Sequence, residues 1–427
     1  MSTDVVVVGA GSSGAAAAAL LAERGLRVIC LERRRLDRAG ASWVNGVPRA
    51  AVTEAGVALP GADESDGRPA PFHLITSSGR ACVPEHDVLE VDMRKLVARL
   101  QARALAAGAE LREEVSVRGL DGERIVTSAG PIEARWFIDA SGLSGARLLG
   151  QPRVERDDLC AAAQEVREIA DRDAARAFFD RHGVRPGEIL GLVGVAGGYS
   201  VLNVRLRHDG LLGILTGSIP SLGFPSGKAI LDRFVAEHAW VGERVFGGSG
   251  PISLRRPHDR LASDRVALLG EAGCQVFPAH GSGVGAGLIA ARLLADTLAA
   301  GGTPRDYEIA WQRRHGGLFA FFDVFRRWNQ TIDDVTLGRV MALGLIDADT
   351  LRAGIDQVLP RPSLRTLASK ARALVREPAL ARSLAATTAR GVAVRALYAR
   401  YPRREQAVPA WSRGVDWLLG AGLSAGS

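Results

Sequence analysis

The 427-residue chain contains few cysteines and few lysines. Its four cysteines, Cys30, Cys82, Cys160 and Cys274, include no C-x-x-C pair, so they indicate neither a disulfide framework nor a zinc site. Glycine and serine interrupt the most apolar stretch, VVVVGAGSSGAAAAALLA, and no basic leader or cleavage site accompanies it. We therefore expect a cytoplasmic protein without a membrane-spanning helix. The sequence also shows no metal-ligand cluster and no nucleophile triad.

Only three lysines occur, and the positive charge comes mostly from arginine. Residues 361–427 carry a net charge of +9, whereas the rest of the chain carries −2. This basic region is either a solvated helical face or a contact for an anionic membrane surface, carrier protein or substrate. The segment RRPHDR, Arg255–Arg260, is too small and isolated to indicate nucleic-acid binding.

The N-terminal stretch DVVVVGAGSSGAAAAALLAERGLRVICLERR predicts a dinucleotide-binding β-α-β unit. Val5–Val8 is a buried parallel strand, followed by Gly9, Gly11 and Gly14 in the order G-x-G-x-x-G. The glycines permit a tight turn, a close approach to a pyrophosphate, and helix packing on the strand. Ser13 lies at the helix start, where free N–H groups attract phosphate.

Glu32 ends the second strand, LRVICLE, where its carboxylate would accept hydrogen bonds from ribose hydroxyls. Arg33 is the next residue in the sequence, and we predict that it also binds the cofactor. These features predict an adenine dinucleotide but do not choose between FAD and NAD.

Three later segments extend the pattern. VLEVDMRKLVARLQARALAAGAEL predicts an amphipathic helix that opens at Asp92 with Arg94 in its first turn. RWFIDASGLSGARLL predicts a strand that ends in a turn from Asp139 to Gly142. A third strand–loop–helix junction begins at Asp264, in DRVALLGEAGCQVFPAHGSGVGAGLIAARLLADTL.

Together these motifs resemble the flavoprotein superfamily of aromatic hydroxylases, geranylgeranyl reductases and flavin halogenases, and the pattern is most similar to geranylgeranyl reductase-like flavoproteins. The resemblance covers roughly residues 3–150 and 250–305. It implies an FAD cofactor whose ribityl chain and ring contact the late loop, and whose pyrophosphate or adenosine lies near Arg94. The cofactor-binding residues so implied are Gly9, Gly11, Ser13, Gly14, Glu32, Arg33, Arg94, Asp139, Gly142, Glu271, Pro278, Gly281, Ser282, Gly283 and Val284.

The implied fold class is α/β. We expect a Rossmann-like FAD-binding domain with the GxGxxG motif, an inserted, mainly antiparallel substrate domain, and a helical C-terminal region. The boundaries are 1–150 for the first part of the FAD-binding domain, 151–260 for the substrate domain, 261–305 for the return segment, and 306–427 for the helical region.

The late loop departs from the superfamily pattern at two places. Glu271 stands where an aspartate is usual, and Gly273–Cys274 replaces Ala-Gly or Ala-His. We interpret Cys274 as a small buried filler rather than a reactive thiol. His280 is either a loop histidine bonded to backbone, or a proton donor or ring contact at the flavin.

Three further residues are candidates for contact with flavin or substrate. Trp43 and Asn45 follow the second strand in a region that passes beside the ring in this superfamily. Tyr199 lies in GGYSVLN, where reductases and halogenases carry tryptophan-containing motifs that this chain lacks. Halogenases also need a lysine early in the chain, and the first one here is Lys95, inside a predicted helix, which argues against halogenation.

These observations predict an FAD-dependent oxidoreductase that acts on a hydrophobic small molecule and reduces C=C bonds by hydride from the reduced flavin N5. The alternative is a monooxygenase that hydroxylates through a C4a-hydroperoxide. A halogenase, or a flavoprotein that modifies a protein or a carrier-bound partner, is less favoured. Because no second G-x-G-x-x-G follows an apolar strand, NAD(P)H would act as a transient electron donor without its own domain.

Overall fold

The computed structural model describes residues 3–65, 69–375 and 377–420. The strands are β1 Thr3–Val8, β2 Val28–Leu31, β3 Val44–Pro48, β4 Phe72–Ile75, β5 Arg80–Val83, β6 Val88–Asp92, β7 Glu110–Arg112, β8 Val117–Asp121, β9 Arg124–Thr127, β10 Gly130–Asp139, β11 Leu159–Ile169, β12 Ile189–Val193, β13 Ser200–Leu206, β14 Leu212–Ser218, β15 Val241–Ser253 and β16 Val266–Leu268. The α-helices are α1 Ser12–Ala22, α2 Arg49–Glu54, α3 Met93–Ala106, α4 Arg172–Arg181, α5 Gly227–Glu237, α6 Val284–Ala299, α7 Pro304–Trp311, α8 Gly317–Asn329, α9 Asp334–Ala342, α10 Ala348–Ile355, α11 Leu364–Val375, α12 Pro378–Ala399 and α13 Val408–Leu419.

The first sheet contains the predicted dinucleotide-binding unit. Strands β7, β2, β1, β10 and β16 run parallel, in that order, and β9 and β8 extend the sheet antiparallel from the first half of β10. Val5–Val8 is almost free of solvent contact, as expected for the centre of a parallel sheet. The carboxyl ends of β1, β2, β10 and β16 therefore meet at one edge, where ligands bind in such folds.

The second sheet has the strand order β15-β11-β14-β13-β12-β4-β5 and is antiparallel except where β12 meets β4. Strands β4 and β5 precede residue 151, so the chain enters this sheet before it completes the first one. The short ribbon β3–β6 lies beside both sheets, and Gln164 of β11 accepts a hydrogen bond from the Val44 amide at 2.5 Å. This contact places the second sheet against the ligand-binding edge of the first.

Small residues hold the helices tightly on the first sheet. Helices α1, α3 and α6 share one core, and α1 contributes an unbroken run of buried alanines and leucines. The Ser13 hydroxyl lies where a Cβ at Gly270 or at Gly287 would fall, 2.5 and 2.1 Å from those positions. A side chain at Gly287 would therefore force α1 and α6 apart, and one at Gly270 would force α1 away from the loop after β16.

A buried ion-pair network joins the helical C-terminal region to the segment that precedes β16. Asp323 on α8 accepts from the Arg256 amide at 3.0 Å, and Arg326 donates to Asp158 at 2.7 Å. Although burial opposes ionisation, the neighbouring Arg326 and Arg327 lower the pKa of Asp323 to about 2. Breaking one member of such a buried pair is strongly destabilising, so the helical region is fixed to the α/β body.

The predicted fold class is confirmed: a mixed α/β protein with a Rossmann-type sheet, a mainly antiparallel second sheet and a helical C-terminal region. In the part of the chain that the structure describes, no helix is both long and apolar enough to cross a bilayer.

Candidate functional site

A cavity of about 610 Å³ opens at the carboxyl ends of the parallel strands. Its walls come from the β1–α1 turn, the end of β2, the loop after β10, strand β3, one stretch of β15, and the loop between β16 and α6. Ten of the predicted cofactor-binding residues line it: Gly9, Gly11, Ser13, Glu32, Arg33, Gly142, Glu271, Gly281, Gly283 and Val284. The cavity therefore brings together motifs that are more than 250 residues apart in the sequence.

The β1–α1 turn leaves no room for side chains. Gly9 has a φ of +98°, and a Cβ there would lie 2.6 Å from the Ala140 carbonyl oxygen. A Cβ at Gly14 would lie 1.8 Å from the Gly9 carbonyl oxygen, so Gly14 supports the turn from behind and does not line the cavity. Helix α1 begins after Gly11 with no side-chain cap, which leaves its first N–H groups available to a phosphate.

Glu32 is fixed at the end of β2. The residue is 5% exposed, and its two carboxylate oxygens accept hydrogen bonds from the backbone amides of Ala10, at 3.0 Å, and Arg34, at 3.1 Å. The carboxylate thus spans the glycine turn and the next loop, and its remaining lone pairs are free to accept ribose hydroxyls.

Asp139 organises the loop after β10 without lining the cavity. Its carboxylate accepts from the amides of Ser141 at 3.1 Å and Leu148 at 3.0 Å, and from the Ser141 hydroxyl. These bonds hold the loop so that Ser141 to Ala146 form part of the cavity wall. Asp139 is accordingly a support for the wall rather than a ligand-facing group.

The β16–α6 loop supplies the opposite end of the cavity. A 3-10 turn, Gly270–Gly273, is followed by Cys274 in a left-handed conformation, with a φ of +53°. Within the described residues, no protein group donates a hydrogen bond to the Glu271 carboxylate, which lies on the cavity wall, and burial raises the pKa of this carboxyl to about 7. A half-buried carboxylate without a protein donor is open to hydrogen bonds from the cavity, so this end favours a ligand that brings hydroxyl groups.

The remaining late-loop residues differ in position. Gly281, Gly283 and Val284 line the cavity at the start of α6. Pro278 is buried behind them, and the Ser282 hydroxyl donates to the Gly46 carbonyl at 2.8 Å, which ties the loop to β3.

Cys274 is buried, with its Sγ 3.3 Å from Nε2 of His258. Burial raises the pKa of the Cys274 thiol to about 11 and lowers the pKa of His258 to about 4. Both groups are therefore neutral near pH 7, which agrees with the interpretation of Cys274 as a packing residue.

The four candidate catalytic residues separate into two pairs. Trp43 and Asn45, on or beside β3, line the cavity. His280 and Tyr199 do not: the His280 ring lies 5.1 Å from that of the buried Phe277, and Tyr199 packs with Leu254 and Ile252 behind the wall.

Arg94 lies apart from the cavity. Its guanidinium pairs with Asp92 at 2.7 Å, stacks 3.6 Å from the centre of the Phe246 ring, and lines a separate cavity of about 280 Å³. Met93, one residue earlier, is the part of α3 that lines the main cavity. In this geometry Arg94 does not line the main cavity, and its placement at the FAD pyrophosphate or adenosine stays a prediction.

One wall segment was missed in the sequence. Gly250, Pro251 and Ile252 of β15 line the cavity, and Trp43 lies across the glycine face of the same strand, 3.8 Å from where a Cβ at Gly250 would be. The available signal was the run GGSG inside a strand, because glycine in a strand interior often marks a close approach of a ligand or another chain segment.

These features fit an extended dinucleotide with a phosphate bridge in its middle. The glycine turn approaches its ligand without side chains, the start of α1 offers N–H donors, and each end of the cavity carries a carboxylate. Residues 4–69 match the family model described as FAD dependent oxidoreductase. This part of the chain, which holds the glycine turn and Glu32, is similar to FAD-dependent oxidoreductases.

Solved structures share the fold. A geranylgeranyl bacteriochlorophyll reductase-like protein from Thermoplasma acidophilum aligns with a TM-score of 0.70 at 18% identity, over 90% of this chain and 99% of that one. Halogenase PltM aligns with a TM-score of 0.61 at 15% identity, over 99% of this chain and 96% of that one. At these identities the likeness establishes the fold.

Sequence relatives have one name in common. A digeranylgeranylglycerophospholipid reductase from Sulfolobus acidocaldarius is 23% identical over 97% of this chain and 97% of that protein. Digeranylgeranylglycerophospholipid reductase 1 from Methanopyrus kandleri is 29% identical over 69% of this chain and 80% of that protein. The predicted resemblance to geranylgeranyl reductase-like flavoproteins is confirmed.

Proposed function

We propose that this protein reduces C=C bonds of a hydrophobic, isoprenoid-type small molecule. The observation that carries the proposal is the wall beside the late loop, where Trp43, Pro251 and Ile252 present apolar surface. Glu271 is the titratable residue among the cavity-lining residues at this end, whereas Arg33 and Arg34 lie with Glu32 at the other. An uncharged alkene chain fits the apolar part of this wall, while the ribityl hydroxyls of FAD would satisfy Glu271. The names of the full-length relatives support the same substrate class.

Bound FAD would supply hydride chemistry at its N5 atom, and the chain would supply placement and exclusion of water. Gly9, Gly11 and Ser13 would hold the pyrophosphate, and Glu32 the adenosine ribose. Glu271 would accept hydrogen bonds from ribityl hydroxyls. The N–H groups at Gly283 and Val284 would face the part of the ring where negative charge collects on reduction.

Trp43 and Asn45 are the candidates for direct contact with ring or substrate because both line the cavity. His280 and Tyr199 would act through their neighbours, His280 through Gly281 and Tyr199 through Ile252. NAD(P)H would bind transiently over the flavin, since the sequence carries one G-x-G-x-x-G unit after an apolar strand.

The basic C-terminal region extends the proposal. We place the enzyme at the periphery of a cytoplasmic membrane surface, because residues 361–427 carry a net charge of +9 and a hydrophobic substrate would be concentrated there. A carrier protein with an acidic surface is the alternative partner.

The test is anaerobic. Purified protein is reduced by light and mixed with a geranylgeranyl lipid, and flavin absorption is followed by stopped flow. We expect the yellow colour to return at a rate that depends on lipid concentration, and mass spectrometry to show one H₂ gained per double bond reduced. Trp43→Ala should slow reoxidation while flavin remains bound.

A monooxygenase would give the opposite pattern. The alkene would not reoxidise the flavin without oxygen, and admission of oxygen would yield a hydroxylated product. That pair of results would replace the reductase proposal.

A further inference from the structure

Helix α11, Leu364–Val375, has no buried residue in the described part of the chain. Leu364 and Val375 are 86% and 79% exposed, and Leu367 is 49% exposed. With the exposed Ala368 and Ala371, these residues follow the spacing of one helix face. Ala373, on the opposite side of the helix, and Leu374, on the flank next to Leu367, pack against the core that contains Trp328 and Leu345. The helix therefore sits on the protein by its inner side and presents an apolar stripe outward, a surface that marks an interaction site.

The flank of the stripe is positive. Arg361, Arg365 and Arg372 are exposed, and no acidic residue occurs between Arg361 and Val375. Lys370, on the other flank, is held by Asp347 at 3.0 Å. Among the described residues, no carboxylate lies within ion-pair distance of the three arginines. Their charge is consequently available to an anionic partner.

The stripe is connected to the wall of the FAD site. Gly354, near the end of α10, has its backbone beside His280 of the late loop. Leu359, between α10 and α11, packs on the core that contains Phe277 and Val284. The chain therefore passes the late loop at Gly354, and α11 begins ten residues later.

We propose that the outward face of α11 docks on an anionic lipid bilayer, with its apolar stripe in the interface and its arginines at the headgroups. A convex apolar stripe bordered by basic side chains fits a fluid surface, whereas a carrier protein would need a matching groove. The proposal names the element that makes the peripheral contact proposed above, and it holds whether the enzyme reduces or hydroxylates its substrate. Docking would hold the enzyme at the phase in which a hydrophobic substrate dissolves.

The test is co-sedimentation of the FAD-loaded full chain with vesicles of phosphatidylglycerol mixed with phosphatidylcholine, at low and high salt. We expect binding to the mixed vesicles that falls with salt, and weak binding to phosphatidylcholine alone. The double variant Leu364→Asp, Val375→Asp should lose roughly tenfold or more in partitioning, and Arg365→Glu, Arg372→Glu should lose a similar amount and its salt dependence. Leu105→Asp is the matched control, because Leu105 is an exposed residue, 54% accessible, on helix α3.

Flavin content and thermal unfolding of the variants show that folding is intact, since the substituted side chains are exposed. Unchanged vesicle binding in both double variants would overturn the proposal. A second pair of results would also overturn it. In that case the parent protein does not bind vesicles, and the Leu364→Asp, Val375→Asp variant loses a dimer that the parent forms on gel filtration. The stripe would then face a second copy of the chain. Failure of the reductase assay leaves these outcomes unaffected, as they require no turnover.

Discussion

Glu32 and Glu271 lie at opposite ends of one cavity, each just after a parallel strand, yet their carboxylates differ in hydrogen bonding. Glu32 is held by two backbone amides and is 5% exposed. In the described part of the protein, Glu271 receives no hydrogen bond, and burial raises its carboxyl pKa to about 7. The adenosine end is thus complete before a ligand arrives, whereas the late-loop end needs donors that the protein does not supply.

The difference follows from how the two ends are built. The backbone bonds of Glu32 come from the glycine turn and the loop after β2, both within a short stretch of sequence. The late-loop end is assembled from β3, β15 and the β16–α6 loop, which are distant in sequence. A locally built site can satisfy its own polar groups, while one assembled from distant segments leaves a polar group for the ligand to satisfy.

Glu32→Ala should have the largest effect on the cofactor. It removes the acceptor for the Ala10 and Arg34 amides and for a ribose hydroxyl, so we expect FAD affinity to fall by about 10- to 100-fold. The apoprotein should also lose about 1–3 kcal/mol in free energy of unfolding. Fluorescence titration with FAD and urea unfolding measure the two effects. Glu32→Gln, which keeps one acceptor oxygen, should fall between; full FAD retention in Glu32→Ala would contradict the predicted role of this end.

Glu271→Gln should change how stability depends on pH. Because the folded-state pKa of Glu271 is raised to about 7 from an ordinary value near 4.5, its contribution is fully present below that ordinary value and is lost as pH rises through about 7. Between these values the parent apoprotein should lose up to about 1.4 kcal/mol per pH unit relative to the variant, whose amide does not titrate.

The measurement is urea unfolding of both apoproteins at several pH values, and it is then repeated with FAD. We expect bound FAD to flatten the difference, because ligand hydroxyls would stabilise the charged carboxylate. Identical pH profiles for parent and variant apoproteins would show that Glu271 has partners after all.

The distinction between parts built from neighbouring residues and parts assembled from distant segments also explains which features the sequence could predict. The β1–Gly–α1–β2 unit and Glu32 were found because strand, turn, helix and acidic terminus follow one another without a break. The apolar wall at Gly250, Pro251 and Ile252 was missed because β15 reaches the cavity through pairing with β11, which no motif records. The role of α11 depends in the same way on which of its faces packs inward, and that is decided by α8 and α9 residues such as Trp328 and Val340.

Arg94 shows the reverse problem. The motif predicts its position in the sequence, but the direction of its side chain depends on where the residue lies around the helix. Successive residues on a helix differ by about 100° in direction, so Met93 on the cavity wall turns Arg94 away toward Asp92 and Phe246. We therefore expect Arg94→Ala to have the smallest effect: FAD affinity within about threefold of the parent, and a loss of about 0.5–1 kcal/mol in free energy of unfolding from the exposed ion pair and the ring contact. FAD titration and urea unfolding measure both.

Arg99→Ala is the structural control, because Arg99 lies on the same helix and pairs with the buried Glu64 instead, at 2.5 Å. A fall in FAD affinity of tenfold or more in Arg94→Ala alone would restore the assignment made from the superfamily pattern, and it would mean that the start of α3 rearranges when the cofactor binds.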